Sequence, residues 1–553
     1  ELKKLGHVDK IEEYTNKVGY SERTDVVIEP KLSAQWFLKM EKLVKPALEN
    51  VLNDTIQFHP AKFKNSYRYW MENIKDWCIS RQLWWGHRIP VYYLPDGSYV
   101  AAETGEEALT LAREKTGNQD LQLQQLRQDE DVLDTWFSSW LWPISVFDGI
   151  REPENREIQY YYPTNDLVTA PDIIFFWVAR MIMTGYEYRR GFPFKNVYFT
   201  GMVRDKLRRK MSKSLGNSPD PLELIASYGA DGVRVGMLLC SPAGGDLLFD
   251  ESLPQQGAGF ATKIWNAFRL IRGWRVDDTL EQPEYARVAL EWFRNKFSRI
   301  VEQTNVYFDQ FRISDALMNA YTVVRDEFSG WLLEIVKPAY RQPVDAKTYA
   351  ELTEIFDAVL RFLHPFMPFV TEEIWQLLKE RKPGESIMVS SWPAAGKQDD
   401  GLIQGFEALK EAVTGIRNIR TANNIPVREP LELAVMPGDK GYDRLFGAIL
   451  IKLGNLSVLR QVEREEPGAA SFLVKSTSFF IPLGGKVDLE EELKKLESEL
   501  AYAKGFLSSV MKKLNNERFI RNAPEAVVAT ERAKKSDAEA KIRILEDQID
   551  RLG

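Results

Sequence analysis

The tightest constraint on how this chain folds lies at its end. Leu489, Leu493, Leu496, Leu500, Ala503, Leu507, Val510 and Leu514 recur at alternating steps of four and three. Ala538, Ile542, Leu545, Ile549 and Leu552 repeat the rule. Residues so spaced form a seam along one helix face, and the seam needs a partner seam. Between the two runs, Asn522-Ala523-Pro524 breaks the pattern, since proline ends a helix. Residues 487–553 are therefore expected to form an antiparallel coiled-coil hairpin. Its first arm, roughly 27 residues at 1.5 Å each, would be about 40 Å long. A dimerisation zipper is the alternative, and a hairpin that fills its own seam disfavours it.

Upstream the periodicity changes. From about 260 to 380 the spacing is that of long amphipathic helices: Trp265, Phe268, Ile271 and Trp274 at three-residue steps, then Val359, Leu363, Phe366 and Val370 around Pro365 and Pro368. This predicts an all-helical bundle over 259–400. Residues 401–486 mix a helix, Gly405–Ala422, with strands at Leu431–Met436 and Ser478–Pro482, a small α/β module. Residues 31–258 read as α/β. They hold a hairpin from Val91 to Val100 around Asp96-Gly97, a polar helix over 104–128, apolar stretches over 132–142 and 166–186, and a buried strand from Val197 to Gly201. Residues 1–30 read as the tail of another domain. The expected class is multidomain α/β plus all-α, and 553 residues suit about three to five domains.

Composition excludes more than it assigns. Two cysteines, Cys78 and Cys240, are too few for a disulfide framework or a four-ligand zinc site, so no metal site is expected within the chain. They suit a reducing, cytoplasmic compartment. No run of 18 apolar residues predicts a membrane span, and no signal peptide is evident. The chain opens in mid-pattern without Met, as a fragment or a processed N-terminus would. A net charge of -7 means that a nucleic-acid partner must be argued locally. Between Tyr188 and Asn217 stand Arg189, Arg190, Lys195, Arg204, Lys206, Arg208, Arg209, Lys210 and Lys213, against one acid, Asp205. Such a run alone usually only solvates a face.

What lifts it above that is Lys210-Met211-Ser212-Lys213-Ser214, placed directly after a strand and Gly201. Two lysines three apart with neighbouring hydroxyls can clamp a polyphosphate and neutralise charge as pyrophosphate leaves. A loop can do this on closing over nucleotide. No glycine-rich phosphate loop of the Walker type occurs to do it instead.

Thr200–Asn217 resembles the second signature of the class I aminoacyl-tRNA synthetases. Asn73 through Pro90 is similar to the connecting segment of their valine, isoleucine and leucine branches, and Asp134-Thr135-Trp136-Phe137-Ser138-Ser139 to their substrate-pocket strand. His364 through Trp375 resembles their anticodon-binding bundle. Asp172 through Met181 resembles the valine-specific pocket helix, where isoleucine enzymes carry a more polar stretch. The terminal hairpin also resembles the valine branch, where it contacts the tRNA elbow, whereas many isoleucine enzymes end in a zinc module. The match covers essentially the whole chain in order.

The resemblance implies the second half of a split Rossmann catalytic domain, an anticodon-binding bundle and a tRNA-binding arm. It implies activation of valine by ATP with Mg²⁺ and transfer to tRNA(Val), by a monomer. Gly201, Lys210, Met211, Ser212, Lys213 and Ser214 would hold ATP, with Lys210 and Lys213 catalytic. Trp136, Ile173 and Trp177 would wall the valine side chain, and Asp172 would hold its ammonium. Asp172 also suits a helix N-cap. Trp265, Asn266 and Arg269 would meet the anticodon stem, with aromatics stacking on bases. Such a pocket rejects threonine poorly, a limit for which valine-specific synthetases are themselves the standard example. An editing domain serves that purpose in the family, and only its tail, Tyr14–Glu29, is recognisable here. No His-x-Gly-His, the first class I signature, occurs in the sequence, so the chain alone is expected not to form an adenylate. Two places depart from the family: Arg208 stands where many relatives have Gly, and Ala170-Pro171 replaces a Gly-led pair. The alternatives are an isoleucine-specific relative and a non-catalytic tRNA-binding protein.

Overall fold

The computed structural model describes residues 1–21, 24–212, 215–241, 244–438, 444–483, 489–516, 519–520 and 523–552. They form two compact units, Glu1–Phe199 and Thr200–Gly553.

The first unit is built on a parallel three-stranded sheet. Its strands are β1 (Gln57–His59), β4 (Thr164–Thr169) and β5 (Phe194–Phe199), with β5 in the middle. Val197 sits opposite Phe58 on one side and Leu167 on the other. Phe194, Val197 and Phe199 are fully buried, as a central parallel strand requires. Three helices pack with this sheet: α1 (Glu41–Leu52), α2 (Phe63–Glu72) and α5 (Ala179–Arg189). They supply Ala47, Val51, Tyr67, Met71, Met181 and Ile182 to the core. The predicted hairpin is present as β2 (Val91–Tyr93) and β3 (Tyr99–Ala101). The polar helix α3 (Gly105–Thr116) is shorter than its pattern predicts, because Gly117 takes a left-handed φ of 70° and ends it. A 3-10 turn at Leu123–Gln125 and a strand at Arg127–Gln128 follow. Over the first 30 residues, all but a few of the described side chains are exposed.

The second unit opens with β6 (Val203–Arg204), paired parallel to β7 (Leu247–Leu248), with α6 (Ala230–Leu239) between them in sequence. A helical bundle follows: α7 (Ser252–Arg272), α8 (Glu284–Asp309), α9 (Ala346–Leu363) and α10 (Pro368–Leu378). Phe268, Ile271, Val359, Leu363 and Phe366 are buried in it as their spacing predicts, with Trp265, Trp274 and Val370 packed at its edge. Pro368 does not kink a helix; it opens α10, where its missing N–H costs nothing. Helix α11 (Asp400–Ala422) begins earlier than its apolar pattern suggests, because Asp399 caps it by accepting the Leu402 N–H at 3.0 Å. Trp292 of α8 stacks on Phe406 of α11 at 3.5 Å.

The small module is a four-stranded sheet. Its strands are β8 (Leu431–Met436), β9 (Leu456–Gln461), β10 (Ala469–Val474) and β11 (Thr477–Pro482), in the order β9–β8–β11–β10. Helix α12 (Gly447–Gly454) lies between β8 and β9 in sequence. The chain ends in α13 (Leu489–Leu514) and α14 (Glu525–Leu552). Leu496, Ala503, Ile542 and Leu545 are buried between them, with Leu500, Leu507 and Ile549 alongside. Ion pairs Lys504–Glu546 and Lys513–Glu531 run in opposite sequence directions, so the two helices are antiparallel. Of the breaking triplet, Asn522 lies outside the described residues.

Candidate functional site

The residues expected to form the amino-acid pocket lie in the first unit. Asp134 caps α4 (Thr135–Ser139) by accepting the Trp136 N–H at 2.8 Å. That carboxylate also accepts the Trp77 indole N–H at 3.3 Å and pairs with Arg81. Helix α4 packs against a widened, π-helical turn, Ile174–Val178, that leads into α5. Across this junction Trp136 stacks on Phe176, with centroids 5.9 Å apart, and the Trp177 indole N–H donates to the Ser139 carbonyl at 3.1 Å. Trp136 and Trp177 are thus brought onto neighbouring elements, both half-buried. Ile173 and Asp172 lie just before them in a 3-10 turn, Pro171–Ile173. Asp172 is exposed and is not the N-cap: Ala170 occupies that position and makes no side-chain capping bond.

Two features around these residues were not signalled by the sequence. One is the π turn, a conformation often found at functional sites. The other is Arg180, only 5% exposed, whose guanidinium lies 3.5 Å over the Trp77 ring and close to Phe175 and Phe176. Its Nε and Nη1 have no hydrogen-bond partner among the described residues. Burial pushes its pKa down to about 10, against the pull of Asp134.

The lysine loop lies in the second unit. Gly201 enters it at a close approach: a Cβ there would meet the Gly245 carbonyl oxygen at 1.8 Å. The chain then runs through β6 and turns at Asp205. One carboxylate oxygen of Asp205 accepts N–H groups from Leu207 at 3.0 Å and Arg209 at 2.9 Å. The other accepts from Arg209 Nε at 2.7 Å and Asn217 Nδ2 at 3.0 Å. The Asn217 amide foremost, and the Arg209 groups with it, hold the Asp205 pKa down to about 2, against partial desolvation. Lys210 returns antiparallel to Arg204. Lys210 is exposed, and Met211 and Ser212 are half-buried. Lys213 and Ser214 lie outside the described residues.

The charge count made along the sequence overstates the positive patch. Arg204 pairs with Asp246 at 2.5 Å and Lys206 with Asp250 at 2.7 Å, two acids that arrive from beyond the loop. On α7, Asn266 and Arg269 are exposed and Trp265 is half-buried. Among the described residues no group of three or more His, Cys, Asp or Glu is placed to hold a metal ion, and no helix is long and apolar enough to cross a membrane.

Three family models match this chain. Residues 10–250 match class I tRNA synthetases (I, L, M and V), 291–435 the anticodon-binding domain of tRNA ligase, and 488–553 the valyl tRNA synthetase tRNA-binding arm. A valine–tRNA ligase of Parabacteroides distasonis is 59% identical over 549 residues, covering 99% of this chain and 62% of that protein. That of Porphyromonas gingivalis is 57% identical over 547 residues, with the same coverage of each. Along 99% of its length the chain is similar to valyl-tRNA synthetases. It spans 62% of the length of these relatives. Mycobacterium tuberculosis methionyl-tRNA synthetase in complex with methionyl-adenylate resembles it at 17% identity and a TM-score of 0.48, over 70% of this chain and 72% of that one. Arg208, where the resemblance leads to an expectation of Gly, has a backbone conformation that suits glycine. Its φ is 63°, in the left-handed region that glycine enters without strain.

Proposed function

We propose that this chain carries the valine pocket, the second ATP-binding loop and the tRNA-recognising elements of a valine–tRNA ligase. In this reading Trp136, Ile173 and Trp177 wall the substrate's isopropyl group, and Asp172 pairs with its ammonium. Lys210 and Lys213 neutralise the polyphosphate of ATP·Mg²⁺ as pyrophosphate leaves, with Gly201, Met211, Ser212 and Ser214 shaping the loop. Trp265, Asn266 and Arg269 meet the anticodon stem of tRNA(Val), and α13–α14 act as a coiled-coil arm against the tRNA body. The enzyme acts in the cytoplasm as a monomer, and this chain by itself does not form valyl-adenylate. The observation that carries the reading is the 59% identity to a valine–tRNA ligase across 99% of the chain. The half-buried indoles on α4 and the π turn support it.

Filter binding of the chain to a tRNA(Val) transcript, and to the same transcript with a changed anticodon, at two salt concentrations tests it. Binding that prefers the valine anticodon and weakens with salt is expected. Equal binding to both transcripts would remove the anticodon assignment.

A further inference from the structure

The side chain that fixes the path of the lysine loop is not a lysine. Asn217 spends its whole amide on main chain and on one carboxylate. Its Oδ1 accepts the Ser212 N–H at 3.0 Å. Its Nδ2 donates to the Lys210 carbonyl at 3.3 Å and to Asp205 Oδ2 at 3.0 Å. The two main-chain contacts fall on either side of Met211, so Lys210–Ser212 is held at both ends. A side-chain amide offers one acceptor and two donors, the set this position uses; a carboxylate offers acceptors only. Asp205 completes the arrangement by holding the opposite turn through the Leu207 and Arg209 N–H groups. The Asn–Asp contact therefore adds a side-chain tie to the backbone bonds that join the loop's outgoing and returning limbs, Asp205 N–H to Arg209 O at 3.0 Å and Met211 N–H to Val203 O at 3.4 Å.

We infer that Asn217 and Asp205 form a latch that presets the backbone of Lys210–Ser212 for a polyphosphate, and so act as positioning residues of the site. The inference rests on the proposed reading of that loop as the grip on ATP. A loop whose limbs are tied by a few backbone bonds and one side-chain contact is preformed in the resting protein yet releasable. A segment that must admit a nucleotide and later free pyrophosphate needs both properties. Asp205 touches no phosphate in this scheme: it holds Asn217, and Asn217 holds the lysine segment.

The test uses the whole chain with Asn217→Ala, Asp205→Asn and the exchanged pair Asp205→Asn/Asn217→Asp. Two quantities are read: hydrogen exchange at the Ser212 amide, and the affinity for inorganic pyrophosphate at low salt. Amides in the α7–α9 bundle report whether each variant is still folded. Each single variant should speed Ser212 exchange and weaken pyrophosphate by about tenfold. The exchanged pair restores a donor facing an acceptor and should recover part of both losses, as coupled neighbours do. Unchanged Ser212 exchange in the single variants would overturn the latch. Faster exchange with unchanged pyrophosphate affinity would overturn its positioning role. If the unaltered chain shows no saturable pyrophosphate binding, the polyphosphate reading falls, and the positioning role with it; Ser212 exchange would still report on the contact itself.

Discussion

Gly201→Ala should loosen the lysine loop at its root. The added methyl carbon would lie 1.8 Å from the Gly245 carbonyl oxygen and 3.0 Å from its carbon. Ordinary contacts lie beyond 3 Å, so the two main-chain segments must part by roughly an ångström, and neither offers a flexible side chain to absorb the strain. The segments are joined by the short β6–β7 pair, tied by Leu247 N–H to Met202 O and Phe249 N–H to Arg204 O, both 2.9 Å, and by the ion pairs Arg204–Asp246 and Lys206–Asp250. Overpacking costs about 1–3 kcal/mol, and a backbone clash places this substitution at about 2–3 kcal/mol. Since 1.4 kcal/mol is a factor of ten, local opening becomes about 30- to 150-fold more frequent. Hydrogen exchange resolved at the Leu247 and Phe249 amides reads this directly. Acceleration of that size, with the bundle amides of α8 and α9 unchanged, is expected. Unchanged exchange at those two amides would refute the close approach at Gly201.

Arg208→Gly should steady the turn, since a left-handed φ of 63° costs a side-chain-bearing residue about 1 kcal/mol. Slower exchange at the Arg208 amide, which donates to the Asp205 carbonyl, would register the gain, whereas Arg208→Val should speed it. Arg180→Met should leave stability unchanged or raise it, because a buried guanidinium with two unpartnered nitrogens gives way to an apolar chain of similar reach. Arg180→Ala should lose roughly 2 kcal/mol of packing on Trp77, and equal losses for the two variants in urea denaturation would contradict this account. Burial foremost, and Lys337 beside it, push the Lys452 pKa down to about 8, where its Nζ donates to the Lys337 carbonyl over the Tyr285 ring. Between that value and the ordinary 10.5 the unfolded chain binds the proton and the folded chain does not, so stability rises with pH across the window. Denaturation curves from pH 8 to 10.5 should therefore be flatter for Lys452→Met.

Much of the fold was legible because burial follows spacing. The bundle residues Phe268, Ile271, Val359 and Leu363 and the terminal seam Leu496–Leu545 fall where their periods place them. Strand β8 matches its predicted span, Leu431–Met436. Boundaries failed where one local residue decided them, as with Gly117 ending α3 and Asp399 starting α11. The site was legible as a set of residue types, not as contacts. The sequence picks out the indoles Trp136 and Trp177 but not Arg180, because its contact is with Trp77, more than a hundred residues away in sequence. Asn217 was quoted as part of a motif, yet its three bonds are visible only in three dimensions. The basic run overstates the positive charge, since Asp246 and Asp250 reach it from a later segment.

The central claim is that these 553 residues are the valine-selecting, tRNA-recognising portion of a valine–tRNA ligase. A chimera tests it most directly: this chain replaces the matching 62% of the Parabacteroides distasonis enzyme, and charging of tRNA(Val) is measured with valine and with isoleucine. The account predicts valine charging, little isoleucine, and a gain of isoleucine when Trp177 or Ile173 is made smaller. A folded chimera that binds tRNA(Val) but charges no valine, or whose selectivity ignores both substitutions, would contradict it.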